Sequence, residues 1–130
     1  MIYADTSALA KLVVAEDETP ALRRWLEPRL QQITLVTNVI GEVELRRLAA
    51  RLGQDVPRAA ASLLAQVDIL TLTNTALVAA AQLLPVDVRT LDALHVASAA
   101  ELADLDSVLT YDLRMASAAR GLGLPVVTPA

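Results

Sequence analysis

The chain has 130 residues, 55% of them apolar, and a formal net charge of −4. That length suits one domain over residues 1–130 with a sizeable core, and the acidic balance argues against a module that grips nucleic acid by bulk electrostatics. The absence of Cys excludes disulfides and thiolate metal sites.

The opening Met1-Ile2-Tyr3-Ala4-Asp5 has no basic segment followed by a long apolar one, so no signal peptide is expected. Every apolar stretch is broken before the ~20 residues a membrane span needs. A soluble, cytoplasmic protein is therefore expected. There is no Phe and one Trp, Trp25, so Leu, Val, Ile and Ala must fill the core.

Residues 2–5 read as a short buried strand. Thr6 and Ser7 offer caps for a helix over Ala8 to Val14. Thr19-Pro20 is a cap followed by Pro at the first helical position, for a helix that passes Trp25 and stops near Pro28. The β-branched run Ile33 to Thr37 reads as a strand. Asn38 caps a long helix from Val39 to Leu52, closed by Gly53. Pro57 opens a helix through Leu64, and Asp68 to Thr73 is a third strand. Asn74 caps a helix to Leu84, ended by Pro85. Thr90 to Leu102 is helical, Ser107 to Thr110 is the fourth strand, and Asp112 to Arg120 is a helix closed by Gly121 and Gly123. Val126-Val127 makes a short final strand. Strands alternate with helices, which predicts a mostly parallel central sheet with helices on both faces.

Four acids stand at or near the ends of these elements. Asp5 and Asp112 follow predicted strands, on the edge where open α/β sheets place their sites. Asp92 opens the stretch Leu91-Asp92-Ala93-Leu94-His95, and Glu44 lies within a helix. Each alone has an ordinary reading: Asp5 as a turn, Asp112 as an N-cap, Asp92 as an anion favoured in a first helical turn. Brought together, they would form a carboxylate cluster suited to hard divalent cations such as Mg²⁺. Bound cations would then neutralise charge that counts as negative in the sequence.

Glu44 is preferred to Glu42 for this role. Glu42 has Arg46 four residues on, the favourable order for a surface ion pair. Glu44 has Ile40 and Leu48 at i−4 and i+4, so it lies on a more apolar stripe and needs a partner; Arg47 competes for it. The lone His95, with Leu91, Leu94 and Leu102 around it, reads as a packed, hydrogen-bonded core residue rather than a general base. Arg23, Arg24, Arg46, Arg47 and Arg51 read as solvated helix faces.

With their flanks, the four acids resemble those of the PIN-domain nucleases, and more closely the VapC-type ribonuclease toxins of bacterial toxin–antitoxin pairs. Met1-Ile2-Tyr3-Ala4-Asp5-Thr6-Ser7-Ala8-Leu9 is similar to the family's first strand and aspartate. Val43-Glu44-Leu45-Arg46-Arg47 is similar to its glutamate helix, Leu91-Asp92-Ala93-Leu94-His95-Val96-Ala97 to its third acidic segment, and Leu109-Thr110-Tyr111-Asp112 to its fourth. Gly121-Leu122-Gly123-Leu124-Pro125-Val126 is similar to its usual ending. Asp-Thr-Ser alone is a weak signal; four segments in order over the whole chain are a strong one. Asn38 stands where relatives often carry Ser, and either can cap.

The resemblance implies a single PIN-like nuclease domain, folded as a three-layer α/β/α sandwich. It implies Mg²⁺- or Mn²⁺-dependent endoribonuclease activity, with Asp5, Glu44, Asp92 and Asp112 catalytic. Asp5, Asp92 and Asp112 would be the metal ligands, and Glu44 would bind a second ion or position the attacking water. Thr6 and Thr110 would orient these groups, and Arg114 would reach a phosphate or form a surface salt bridge. It also implies a homodimer, in some cases within a larger toxin–antitoxin assembly, and a small antitoxin that blocks the site. The antitoxin would lie in a groove near Trp25 and Leu45 to Leu52.

Rival readings are weaker. A haloacid-dehalogenase-like phosphatase needs an acid two residues after its first aspartate, and here that position is Ser7. A receiver domain needs a Lys on a late strand, and the only one here is Lys11. A catalytically silent PIN-like module that binds RNA or protein is the remaining alternative.

Overall fold

The computed structural model describes residues 1–130. Its centre is a five-stranded sheet whose three inner strands are wholly buried and whose two edge strands are partly exposed. The strands are β1 (Ile2–Ala4), β2 (Leu35–Asn38), β3 (Asp68–Leu70), β4 (Ser107–Leu109) and β5 (Val126–Val127), in the order β3-β2-β1-β4-β5. Every pairing is parallel, so the sheet is wholly rather than mostly parallel. The chain moves from β1 outward through β2 to β3, then returns to the other side of β1 with β4. The order therefore reverses between β1 and β4, where Tyr3 pairs with Val108 and Ala4 with Leu109.

Side-chain alternation divides the core in two. Ile2, Ala4, Leu35 and Leu109 point to one face, where they meet α1 (Thr6–Val13), α2 (Thr19–Leu26), α3 (Val39–Ala50) and α4 (Asp55–Leu64). Tyr3, Val36 and Val108 point to the other, against α6 (Thr90–Ala100) and α7 (Leu113–Gly121). The remaining helix, α5 (Asn74–Ala81), packs on α6. The result is the expected three-layer α/β/α sandwich. Each fully buried Leu or Val contributes about 1.5–3 kcal/mol, and strands buried on both faces explain the unbroken apolar runs.

Several boundaries differ from the sequence reading, each for a local reason. Helix α1 begins at Thr6 because Asp5, not Thr6 or Ser7, is its N-cap. Helix α2 begins at Thr19 itself. The Thr19 hydroxyl is turned away from capping: it donates to the Lys11 carbonyl at 2.8 Å and accepts from Glu16 N–H at 2.9 Å. A 3₁₀ turn at Arg29–Gln31 follows α2. Helix α4 starts two residues before Pro57, whose missing N–H costs nothing in a first turn. Strand β3 stops at Leu70 because its ladder partner, Asn38, turns away to cap α3. Thr73 rather than Asn74 then caps α5, accepting from Ala76 N–H at 3.0 Å. Helix α5 ends at Ala81, short of the expected Leu84, where the chain tightens so that Gln82 N–H donates to the Ala79 carbonyl and Leu83 N–H to the Ala80 carbonyl. Likewise α3 and α6 end two residues early, at Ala50 and Ala100.

One close approach positions the site. Asn38 caps α3 by accepting from Gly41 N–H at 2.9 Å, and its amide donates to Ser98 Oγ of α6 at 3.0 Å. The start of α3 is thereby drawn onto α6. A Cβ at Gly41 would overlap Thr37 Oγ1 and come within 3.2 Å of His95 Cε1. Gly41→Ala is expected to cost roughly 1–3 kcal/mol, the range for overpacking a filled core. Urea unfolding of the two proteins checks this, and an unchanged midpoint would contradict the close packing described.

Candidate active site

At the carboxyl edge, β1 ends directly in Asp5. Its carboxylate is buried, with 3% exposure. Oδ1 accepts from Ser7 Oγ at 2.7 Å and from Ala8 N–H at 3.0 Å, and Oδ2 accepts from Thr110 Oγ1 at 2.7 Å. Burial pushes this carboxyl above its usual range, against the pull of those three donors and of nearby His95. Thr110 continues β4 and also receives Asp112 N–H on its hydroxyl at 3.0 Å. Ser7 completes the clasp by accepting Tyr111 N–H at 2.8 Å. The β1 and β4 ends are thus tied through one carboxylate.

Asp112 is the N-cap of α7, as its position after a strand foretold. A single oxygen, Oδ1, accepts both Arg114 N–H and Met115 N–H at 2.9 Å. Oδ2 makes no hydrogen bond. Asp92 lies in the first turn of α6. Its Oδ2 is buried and has no partner. Burial raises this carboxyl, and the negative charges of Asp112 and, more weakly, Asp5 raise it further against Arg89 and His95. Asp5, Asp92 and Asp112 therefore sit within electrostatic reach of one another.

Glu44 is held from behind. Its Oε1 accepts from Thr6 Oγ1 at 2.7 Å and pairs with His95 Nε2 at 2.8 Å, while Oε2 makes no hydrogen bond. Partial burial pushes the carboxyl up, but the His95 and Thr6 hydrogen bonds together outweigh it and hold Glu44 below its usual range. Glu42 makes the expected ion pair, with Arg46 at 3.0 Å. Arg47 does not compete for Glu44. It lines a cleft of about 510 Å³ with Arg51, Thr6, Glu44, Ile40 and Leu48.

The expected four-acid cluster is only partly assembled. No three of the His, Asp and Glu side chains converge at metal-holding distance. Glu44 stands to one side of the three aspartates, bound to His95. Thr6 donates to Glu44 and Thr110 donates to Asp5. Arg114 is exposed beside a small surface cavity with Asp87 and Leu113 and forms no salt bridge. Leu45, expected at a groove, is fully buried in the core, whereas Leu48 lines the cleft. Two site residues escaped the sequence reading. Ser7 was read only as a cap. His95 was rightly placed in the core, at 2% exposure, but its bond to Glu44 was not foreseen. The available signal was its spacing, three residues after Asp92 and so on a neighbouring part of the helix surface.

This fold and carboxylate edge belong to a known class. The family model of the PIN domain matches residues 2–121, and the chain belongs to the PIN-domain family. Among individual relatives, ribonuclease VapC47 of Mycobacterium tuberculosis (strain CDC 1551 / Oshkosh) is 46% identical over 79 residues, 59% of this chain and 58% of its own length. Ribonuclease VapC46 of M. tuberculosis (strain ATCC 25618 / H37Rv) is 40% identical over 76 residues, 58% of this chain and 56% of its own. The chain spans little more than half the length of these relatives. Similar solved structures include VapBC2 from Rickettsia felis bound to a promoter DNA fragment, with a TM-score of 0.78 and 14% identity over the whole of both chains. M. tuberculosis VapC20, a sarcin-ricin loop cleaving toxin, gives 0.72 and 20% identity over 99% of this chain and 100% of its own. At such identities the likeness is one of fold.

The strained charge of Asp92 has a measurable consequence. A carboxyl raised on folding stabilises the fold while protonated and destabilises it as pH rises through the raised value. In metal-free buffer at neutral pH, Asp92→Asn is therefore expected to raise the thermal unfolding midpoint by a few degrees. The gain should vanish below about pH 4, where the unfolded carboxyl is also protonated. Fluorimetric melts from acid to neutral pH check this, and a lower midpoint at neutral pH would contradict it.

Proposed function

We propose that the chain is a divalent-metal-dependent endoribonuclease that acts as the toxin of a toxin–antitoxin pair. The observation that carries this reading is the partnerless, buried Oδ2 of Asp92, repelled by Asp112 and Asp5 in a chain of the PIN family. A buried carboxylate oxygen among other carboxylates lacks a cation, and an all-oxygen donor set fits Mg²⁺ or Mn²⁺. Asp5, Asp92 and Asp112 would hold the ion. A cation held by these residues would supply charge that acidifies a water and offsets the leaving oxygen.

The chain's own groups do the remaining work. Ser7 and Thr110 fix Asp5, and the first turn of α7 fixes Asp112, so each carboxylate is held before substrate arrives. The free Oε2 of Glu44 orients the attacking water and accepts its proton as the water oxygen bonds to phosphorus and the ribose oxygen departs. Arg114, unpaired at the rim, reaches a phosphate oxygen. The curated relatives are named ribonucleases, and VapC20 is described as a cleaving toxin, which supports RNA as substrate. The VapBC2 structure, and that of FitAcB from Neisseria gonorrhoeae with a TM-score of 0.74 and 20% identity over 97% of this chain and 96% of its own, support a small protein partner. On this reading the working unit is a cytoplasmic homodimer whose antitoxin enters the cleft of Arg47, Arg51 and Leu48 with a segment that is disordered when free. No helix is long and apolar enough to cross a membrane.

Purified protein should cleave RNA with Mg²⁺ or Mn²⁺ and not in excess EDTA. Asp5→Asn and Asp92→Asn should each lower single-turnover cleavage by several orders of magnitude. Millimolar Mg²⁺ should raise the unfolding midpoint of the wild-type chain but not of Asp92→Asn. Full activity in EDTA would overturn the metal reading; metal binding without cleavage of any RNA would favour the silent module.

Glu44→Gln should impair cleavage far more than Glu42→Gln in parallel assays, with folding matched by circular dichroism. Expression of the chain alone should arrest growth, and co-expression with its antitoxin should relieve the arrest. Growth unaffected by a chain that cleaves RNA in vitro would remove the toxin role and leave the nuclease.

A further inference from the structure

His95 is the chain's one histidine, and it links two very different places. Its Nε2 lies 2.8 Å from Glu44 Oε1 at the site, and its Nδ1 lies 2.7 Å from the Tyr3 hydroxyl inside the second core layer. Tyr3 is fully buried in the middle of β1. The two rings meet edge to face, with centroids 5.9 Å apart. The direction of each hydrogen bond follows from what the partners can do. An ionised carboxylate only accepts, so Nε2 must carry a proton. The Thr37 and Ser98 hydroxyls and the Asn38 backbone also stand about the phenol oxygen as donors, so its own proton goes to Nδ1, the acceptor 2.7 Å away. The opposite tautomer would set a lone pair against the carboxylate and turn the Nδ1 proton against the phenol's own.

The consequence falls on Glu44. Thr6 and His95 both donate to the same oxygen, Oε1, leaving Oε2 free. We propose that Tyr3 and His95 are positioning residues: the run of bonds from the Tyr3 hydroxyl through Nδ1 and Nε2–H to Glu44 Oε1 turns the carboxylate so that Oε2 faces the substrate. This rests on the nuclease reading above and adds residues to it that touch neither substrate nor ion. Thr6 alone would leave the carboxylate free to rotate about its bond to Oε1. His95, wedged between Tyr3 and the close approach at Gly41, has no such freedom.

The test joins kinetics to spectroscopy, with the full chain throughout. Because there is one imidazole, its ¹⁵N resonances report on His95 without overlap. The wild type should show a protonated Nε2 and an accepting Nδ1, and Tyr3→Phe should move Nδ1 toward the value of an unbonded ring nitrogen. Tyr3→Phe should slow single-turnover cleavage about tenfold, and His95→Ala about a hundredfold, the range for groups that orient a site from behind it. Half-saturation by RNA should not change in either. His95→Gln, which returns a donor near Oε1, should recover at least roughly tenfold over His95→Ala. A proton on Nδ1 in the wild type would overturn the proposal. So would wild-type rates in folded Tyr3→Phe and His95→Ala, or a loss in Tyr3→Phe expressed only as weaker RNA binding. If the wild type cleaves no RNA, the nuclease reading fails by itself, and the resonances still decide whether the Tyr3–His95–Glu44 bonds run as drawn.

Discussion

The hydrogen bond from Thr110 Oγ1 to Asp5 Oδ2 at 2.7 Å ties together side chains at the carboxyl ends of the two strands between which the strand order reverses. Two helices of the site take their start from that junction. Asp5 caps α1, so the direction of α1 is set by the same carboxylate. Thr110 receives the amide of Asp112, so the start of α7 is set by the same hydroxyl. The parallel sheet explains why this junction falls where it does. At a reversal, the loops leaving adjacent strands diverge to opposite faces and leave a crevice, which here is lined by carboxylates rather than by backbone amides.

The acids share a common pattern of restraint. Asp112 and Glu44 each spend one oxygen on two donors and keep the other bare. Asp92 keeps a bare oxygen inside the protein, and only Asp5 has both oxygens occupied. Such an arrangement is unfavourable for folding, since like charges at close range oppose ionisation. The cost is met by the core on either side of the sheet. It is also of the kind expected where function asks for a locally unstable geometry.

The fold was legible because its signals are local. Gly53 and Gly123, both with positive φ, and the caps Asn38 and Asp112 mark their element ends in the sequence. Where the reading slipped, a tertiary contact had overruled a local preference. Thr19 looked like a cap, but Lys11 and Glu16 engage its hydroxyl. Thr71 to Thr73 looked like strand, but the neighbouring strand had already turned into a helix. Within the site, strand ends and a helix register were enough to gather the acids into one neighbourhood. What could not be read was which oxygen each acid leaves open, or that His95 stands between Tyr3 and Glu44. Those depend on rotamers and on contacts across residues 92 and 51 positions apart, for which a sequence carries no periodic signal.

The span of the Asp5–Thr110 bond also has a bearing on synthesis. Its two ends are 105 residues apart, and β1 cannot complete its pairing until β4 has been made. Contacts of such separation close late, because the intervening chain must first be ordered. A ribosome-bound fragment that lacks β4 has the first aspartate and its local donors Ser7 and Ala8 but not Thr110, which holds the second oxygen. The acids therefore come together as one neighbourhood only when the central strand finds its last neighbour.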